Sequence, residues 1–156
     1  FAGLMLTNNG PKLLEYNVRL GDPETQAILP RIADGDFLEL CKRSASDQLA
    51  GFHPTFDGRP TCTIVMAAQG YPANPRKGDP LTISPSLETD DRWLIHAGTA
   101  SQDGSIVTNG GRVAAVVARA SNLQEARTAA YEGAVLVEFD GSQTRSDIGA
   151  PKEGTP

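Results

Sequence analysis

Glu15, Asn17 and Arg19 alternate with Leu14, Tyr16, Val18 and Leu20, and the run ends abruptly on Gly21-Asp22-Pro23-Glu24. Successive side chains of a strand point to opposite faces. One face of this stretch is therefore apolar and needs a core, and the other lines up a carboxylate, an amide oxygen and a guanidinium. Glu15 and Asn17 suit a hard cation such as Mg²⁺, which takes oxygen ligands and usually shares them with substrate phosphates. Arg19 suits those phosphates or a carboxylate. The simpler alternative is a polar strand face exposed to solvent.

Asp22-Pro23 is a helix start, with Asp at the N-cap and Pro at the first helical position. Arg19, Gly21, Asp22 and Glu24 then sit where free N–H groups of a helix N-terminus favour an anion. Capping and substrate binding by Asp22 are compatible. Two basic loops are further candidates. Gly110-Gly111-Arg112 lies between two strand-like runs, and adjacent glycines allow an anion-binding backbone nest. With Lys77-Gly78 it offers Lys77 and Arg112 as phosphate contacts, against the reading of Arg112 as a solvated turn residue. His96 reads as a strand-end histidine satisfied by a backbone partner rather than a catalytic base. No Ser or Cys stands with a His and a carboxylate at a spacing that would make a nucleophile.

The elements that must position these groups follow from periodicity and punctuation. Phe1 to Thr7 is strand-like from its first residue, Asn8-Asn9-Gly10 supplies a tight turn, and a second strand runs from Pro11 to about Leu20. A hairpin of about 20 residues is too small to stand alone. The strand-like start, with no initiator Met and no polar lead-in, points to the back part of a longer protein. A short helix is expected from Pro23 to about Leu29. Another opens at Asp36 with Glu39 as capping-box partner and Leu38, Cys41 and Ala45 on its apolar face.

Residues 53–60 read as a turn-rich linker, and 150–156 as a polar, frayed tail. Strands are expected at 61–68, 93–97, 105–108 and 112–118, and residues 73–91 as an extended loop with short strands. A helix opens at Ser121 with Gln124 in a second capping box. Leu123, Ala126, Ala130, Ala134 and Val137 keep helical spacing toward an end near Glu138. The boundary falls near residues 50–60. After it stands an α+β unit of about 90 residues.

The 156 residues carry a formal net charge of −5 and 39% hydrophobic residues. An acidic balance argues against a general nucleic-acid binder, and no apolar run approaches a membrane span. Cys41 and Cys62 are expected as buried reduced thiols rather than a disulfide or metal site. Cytoplasm is the expected compartment.

Tyr16-Asn17-Val18-Arg19-Leu20-Gly21-Asp22-Pro23-Glu24-Thr25-Gln26, with Glu15 before it, resembles the glycinamide ribonucleotide synthetase (phosphoribosylamine–glycine ligase) family. Further blocks stand in the family's order and spacing. They are Gly3-Leu4-Met5, Gly70-Tyr71-Pro72, Lys77-Gly78, His96-Ala97-Gly98-Thr99, Thr108-Asn109-Gly110-Gly111-Arg112-Val113 and Arg145-Ser146-Asp147-Ile148-Gly149. Together they run from residue 2 to 149. Leu20, where Phe is usual, is one departure.

The resemblance implies an α+β fold. Residues 1–52 would be the last part of an ATP-grasp domain, 53–60 a linker and 61–149 a small mixed β-sheet and helix C-terminal domain. It implies a ligase in de novo purine synthesis, with ATP, glycine and 5-phosphoribosylamine as substrates and a glycyl phosphate between them. Glu15 and Asn17 match the family's ligands for Mg²⁺ or Mn²⁺. Arg19 and Asp22 are the expected catalytic residues, and Arg19, Gly21, Asp22, Glu24, Lys77 and Arg112 the expected substrate contacts. The N-terminal domain and the lobe that grips the nucleotide would lie outside this sequence, so that the chain alone would be inactive. The alternative class is a non-catalytic module of the same ancestry that binds a ligand or partner.

Overall fold

The computed structural model describes residues 1–151. The expected frayed tail lies outside the described residues from 152 onward. The chain is mixed α+β. In order it forms β1 (Ala2–Thr7), β2 (Gly10–Tyr16), α1 (Glu24–Ile28) followed by a 3₁₀ turn (Leu29–Arg31), α2 (Asp36–Ala45) and β3 (Thr61–Ala67). Then come β4 (Thr82–Ile83), β5 (Arg92–His96), β6 (Thr99–Gln102), β7 (Ser105–Thr108), β8 (Arg112–Arg119), α3 (Leu123–Ala134) and β9 (Val137–Glu138).

The core forms around an antiparallel sheet ordered β3-β8-β5. Cys62, Ile64 and Met66 lie opposite Ala118, Val116 and Ala114, so one face of the sheet is continuous and apolar. The helix α3 covers that face with Ala126, Ala130 and Ala134, whose four-residue spacing forms one narrow stripe. Gly133 lets the helix sit close, since a Cβ there would run into Val116 and the Arg92 side chain. The middle of β8 is buried on both faces, which suits its unbroken run of Val and Ala. On the second face α1 leans against β3 and β8, with the Thr61 hydroxyl donating to the Ala27 carbonyl at 2.8 Å. Ile64 is fully buried at the centre. Ile64→Ala is expected to cost about 2–5 kcal/mol, read as a lower urea midpoint with an unchanged slope.

Several helix starts differ from the sequence expectation. Asn122, not Ser121, caps α3 by accepting from the Glu125 N–H at 2.9 Å, while Ser121 donates to the Glu125 carboxylate. The box is thus shifted by one residue. The helix stops at Ala134 because Val137–Glu138 leave to pair with Thr82–Ile83, and Leu123 ends on the exposed side. At α2 no capping box forms. Gly35, with φ of 85°, takes the N-cap. Asp36 accepts from the Thr55 N–H at 2.5 Å, and Glu39 turns to Arg43 and Lys42 along its own helix. Those two cations, Arg43 foremost, hold the Glu39 carboxyl below its ordinary range. Leu38, Cys41 and Ala45 are exposed, because none of the described residues covers that face of α2. Cys41 is therefore not a buried thiol. Cys62 is, both are free, and burial pushes the Cys62 thiol up.

Residues 53–60 form no helix or strand but are well fastened. Arg31 donates twice to the Asp57 carbonyl, Ala33 N–H donates to Thr55 O, and Phe56 bridges to Ile32. Asp57 also joins Arg59, Asp91 and Arg119 in a charged cluster at the end of the sheet. There the Arg59 side chain, first among its neighbours, holds the Asp57 carboxyl far below the usual range.

The opening hairpin pairs Ala2 with Tyr16 through Thr7 with Gly10. Gly10, with φ of 87°, supplies the left-handed residue of the turn. The second strand ends at Tyr16, four residues before the expected Leu20. Ala2↔Tyr16 is the last ladder pair; beyond it the Asn17 N–H donates to Phe1 O at 2.8 Å, and the Phe1 ammonium donates to Asn17 O and Arg19 O, each at 3.0 Å. Nearly every residue of both strands is exposed. The apolar side chains that asked for a core find none among the described residues.

Candidate functional site

Beyond Tyr16 the chain folds into a loop that carries Asn17 to Pro23 from the hairpin toward the sheet. Arg112, the first residue of β8, reaches across to this loop. Its Nη2 donates to the Asp22 carboxylate at 2.7 Å and its Nη1 to the Asp22 carbonyl at 3.4 Å. Residues 90 positions apart in sequence are joined in this way. Around the pair lies an open groove of about 540 Å³, lined by Glu15, Arg19, Gly21, Asp22, Glu24 and Arg112, with Phe1 and Leu20 beside them.

Six of the eight residues expected from sequence thus share one groove. Among the described residues the Arg19 side chain bonds only to its own neighbour's carbonyl, Leu20 O, at 3.0 Å, which leaves its other donors without a partner there. Gly21 is buried, and the Glu24 carboxylate folds back over it into the space that any Cβ would fill. Glu15 is exposed and has no hydrogen-bond or ion-pair partner among the described residues.

Asn17 and Lys77 are not among the groove's lining residues. Asn17 is half-buried just beyond the strand, and its amide nitrogen is shielded from water with no partner among the described residues. Lys77 is exposed on its loop.

Asp22 does not cap α1. Pro23 holds the N-cap position, with no side-chain cap. The Asp22 carboxylate takes Arg112 on one oxygen and Gln26 Nε2, at 3.3 Å, on the other. The N–H groups of Thr25 and Gln26 go to Gly21 O and Pro23 O. The start of this five-residue helix therefore offers no free anion site. Nor do Gly110 and Gly111 form a nest, which needs a left-handed residue. Neither glycine has a positive φ in that region. They serve close approach instead. A Cβ on Gly98 would fall 2.7 Å from the Gly110 Cα, and one on Gly111 would fall 2.5 Å from the Tyr71 ring. His96 is satisfied, though by a side chain: its Nδ1 lies 3.2 Å from the Thr99 hydroxyl.

The Arg112–Asp22 pair stands half in water, with the two side chains 39% and 54% exposed. Such pairs contribute about 0–1 kcal/mol, so the fold does not depend on it. Arg112 can exchange Asp22 for another anion at little cost. Among the described residues no three His, Cys, Asp or Glu side chains gather as a metal cluster. Glu15 and Asn17 are oxygen donors, the type a hard cation prefers, and they fit one whose remaining positions are filled by phosphate oxygens and water.

Sequence reasoning gave no role to Arg145. It lines a second groove of about 380 Å³ together with Pro23, Thr63, Val65, Tyr71 and Arg112. The only sequence signal was its place in the Arg145 to Gly149 block.

Comparisons with known proteins bear on the family and the fold. A family described as phosphoribosylglycinamide synthetase, ATP-grasp (A) domain, matches residues 1–25. One described as phosphoribosylglycinamide synthetase, C domain, matches residues 61–151. A phosphoribosylamine–glycine ligase of Vibrio parahaemolyticus is 44% identical over 150 residues, covering 96% of this chain and 35% of that protein. The human trifunctional purine biosynthetic protein adenosine-3 is 41% identical over 150 residues, covering 96% of this chain and 15% of its own length. The crystal structure of a phosphoribosylamine–glycine ligase from Thermotoga maritima superposes with a TM-score of 0.80 at 37% identity, covering 94% of this chain and 36% of that one.

The fold is that of an ATP-grasp domain's closing segment joined to a small α+β unit. The chain belongs to the phosphoribosylglycinamide synthetase family. It spans about a third of the length of the curated ligases it matches.

Proposed function

We propose that this chain is the C-terminal segment of an ATP-dependent ligase that joins glycine to 5-phosphoribosylamine in de novo purine synthesis. The observation that carries this reading is the Arg112–Asp22 contact, which draws the Glu15-to-Glu24 stretch and the start of β8 into one charged groove. That groove mixes carboxylates with two guanidinium groups, as phosphoryl transfer onto a carboxylate requires.

In the proposed reaction the glycine carboxylate oxygen takes the γ-phosphoryl group of ATP, releasing ADP and leaving a glycyl phosphate. The amine of phosphoribosylamine then attacks the carbonyl carbon. The bond to the phosphate oxygen breaks, phosphate leaves, and the nitrogen loses a proton to give glycinamide ribonucleotide. Catalysis of this kind is positioning and charge stabilisation. Arg19 steadies the transferring phosphoryl group or the glycine carboxylate, and Asp22 orients Arg112 toward the incoming substrate. Gly21 and Glu24 shape the wall between them. Glu15 and Asn17 would hold Mg²⁺ or Mn²⁺, whose charge offsets that of the phosphate oxygens. Lys77 stands on a neighbouring loop as a further contact for substrate phosphate. The lobe that grips the nucleotide belongs to the remainder of the ligase. A cytoplasmic setting goes with this reading and with two free cysteines.

The test is ADP release by the full-length protein containing this sequence. Release is expected to require glycine and phosphoribosylamine together. The 156-residue chain by itself is expected to give no glycine-dependent release above background, because half of the clamp around ATP is absent. Full-length protein that stays silent with all three substrates would overturn the proposal, and an active isolated chain would overturn the division of labour within it.

A further inference from the structure

The groove beside Arg145 is walled by a firmly held loop. Its floor is the face of β3 turned away from α3, where Thr63 and Val65 sit, and its walls include Tyr71, Arg112 and the segment from Gln143 to Ile148. That segment is held at nearly every step. Gln143 and Ala67 exchange backbone hydrogen bonds at 2.9 and 2.8 Å. The Tyr131 hydroxyl donates to Arg145 O at 2.7 Å and accepts from the Ile148 N–H at 3.1 Å. Arg127 donates to Ile148 O and Ser146 O. Two side chains of α3 thus fix the backbone of a loop whose one long cationic side chain, Arg145, extends into solvent at the groove edge. Among the described residues its guanidinium bonds only to Asp147, within its own loop.

The Thr63 hydroxyl is shielded from water and has no hydrogen-bond partner among the described residues. A buried hydroxyl of this kind is normally paired, so its position in the groove leaves a bond open for a ligand. Two planar guanidinium groups on one groove favour a phosphate, which they bind in a forked geometry. The Tyr71 ring and Val65 offer apolar surface between them. Gln143 and Thr63 offer polar partners for hydroxyls. The volume is at the small end of the range for small-molecule sites.

We infer that this second groove holds a phosphorylated sugar, with Arg145 and Arg112 sharing its phosphate. Resting on the ligase reading above, the sugar is that of the amine substrate. Arg112 lines both grooves, so a sugar phosphate seated here has its other end directed past Asp22 toward the groove of Glu15 and Arg19. Asp22 and Asp147 then act as resting partners that each guanidinium releases when the phosphate arrives.

The experiment compares full-length ligase with its Arg145→Gln and Arg145→Lys variants. Because the Arg145 side chain hydrogen-bonds only to Asp147 among the described residues and the loop is anchored through the Arg145 backbone carbonyl, both variants are expected to melt at the wild-type temperature. Arg145→Gln is expected to raise KM for phosphoribosylamine about 10-fold, as loss of one charge-assisted contact does, and to leave KM for ATP and glycine unchanged. Arg145→Lys recovers part of the loss. Calorimetry with ribose 5-phosphate as the probe reads the groove independently of catalysis. Binding to the wild type that weakens about 10-fold in Arg145→Gln supports the site even if the ligase activity itself fails to appear. Wild-type affinity for ribose 5-phosphate in the Gln variant, together with an unchanged KM, overturns the site and leaves the ligase reading standing.

Discussion

Glu15→Gln in the full-length ligase is expected to lower turnover by about 10²-fold or more at saturating substrates, the scale seen when one preorganised charge partner is removed from a reacting centre. The thermal melt is expected to stay within error of wild type. Both expectations follow from the same observation. Glu15 is exposed, projects into the groove, and bonds to nothing else among the described residues. The fold therefore gains nothing from its charge, whereas a cation sharing phosphate oxygens would. The substitution keeps shape and one carbonyl oxygen but removes the negative charge, so the remaining activity is expected to need a higher Mg²⁺ concentration. A magnesium titration of ADP release in the two proteins reads this directly. Near-normal turnover of Glu15→Gln at limiting Mg²⁺ would remove Glu15 from the metal site.

What the sequence revealed and what it hid separate along a physical line. The unit from Thr61 to Ala134 was legible because its signals are local. Alternation in Thr61–Ala67, the unbroken apolar run of β8 and the alanine stripe of α3 each specify one element and its buried side. The errors lie where a distant partner decides. Asp36 and Glu39 have capping-box spacing, yet Thr55 and Arg43 claim their carboxylates. Ser121 and Asn122 are both competent caps, and the register of the first turn chooses the second. The polar–apolar alternation from Leu14 continues to Leu20, but a strand persists only where it has a partner, and the ladder ends at Ala2↔Tyr16. The short β6 was missed although Asp103-Gly104 marks its hairpin with Ser105–Thr108. In the candidate groove, residue chemistry pointed to Glu15, Arg19, Gly21, Asp22 and Glu24, because charged groups on alternate positions running into a helix start are legible without a fold, whereas Asn17 of the same stretch is not among the lining residues. Arg112 was named without its Asp22 partner. Arg145 had no role at all, since its groove exists only once β3, β8 and the loop anchored by Tyr131 are assembled.

The isolated 156-residue chain is expected to self-associate through residues 1–20. Leu4, Met5, Leu14 and Tyr16 are 57%, 52%, 64% and 77% exposed on a two-stranded hairpin with no further strand beside it. Burying such a side chain is worth roughly 1.5–3 kcal/mol, so a few of them suffice to drive pairing. Two unpaired strand edges supply the backbone hydrogen bonds that direct it. In the full-length ligase the remaining strands of the ATP-grasp sheet are expected to take that place. Sedimentation over a range of concentrations should show dimers or larger species for the chain alone, and Leu14→Lys with Tyr16→Lys should shift it toward monomer. Hydrogen exchange separates this from general unfolding. Amides of β3, β8 and α3 are expected to be strongly protected in both proteins, because their core is complete within the chain. Those of residues 1–20 should be protected only in the associated form, since a lone hairpin is marginal in water. A monomer at all concentrations with strongly protected amides in residues 1–20 would refute the expectation, because it would require the hairpin to be covered by the chain's own residues, which leave it bare.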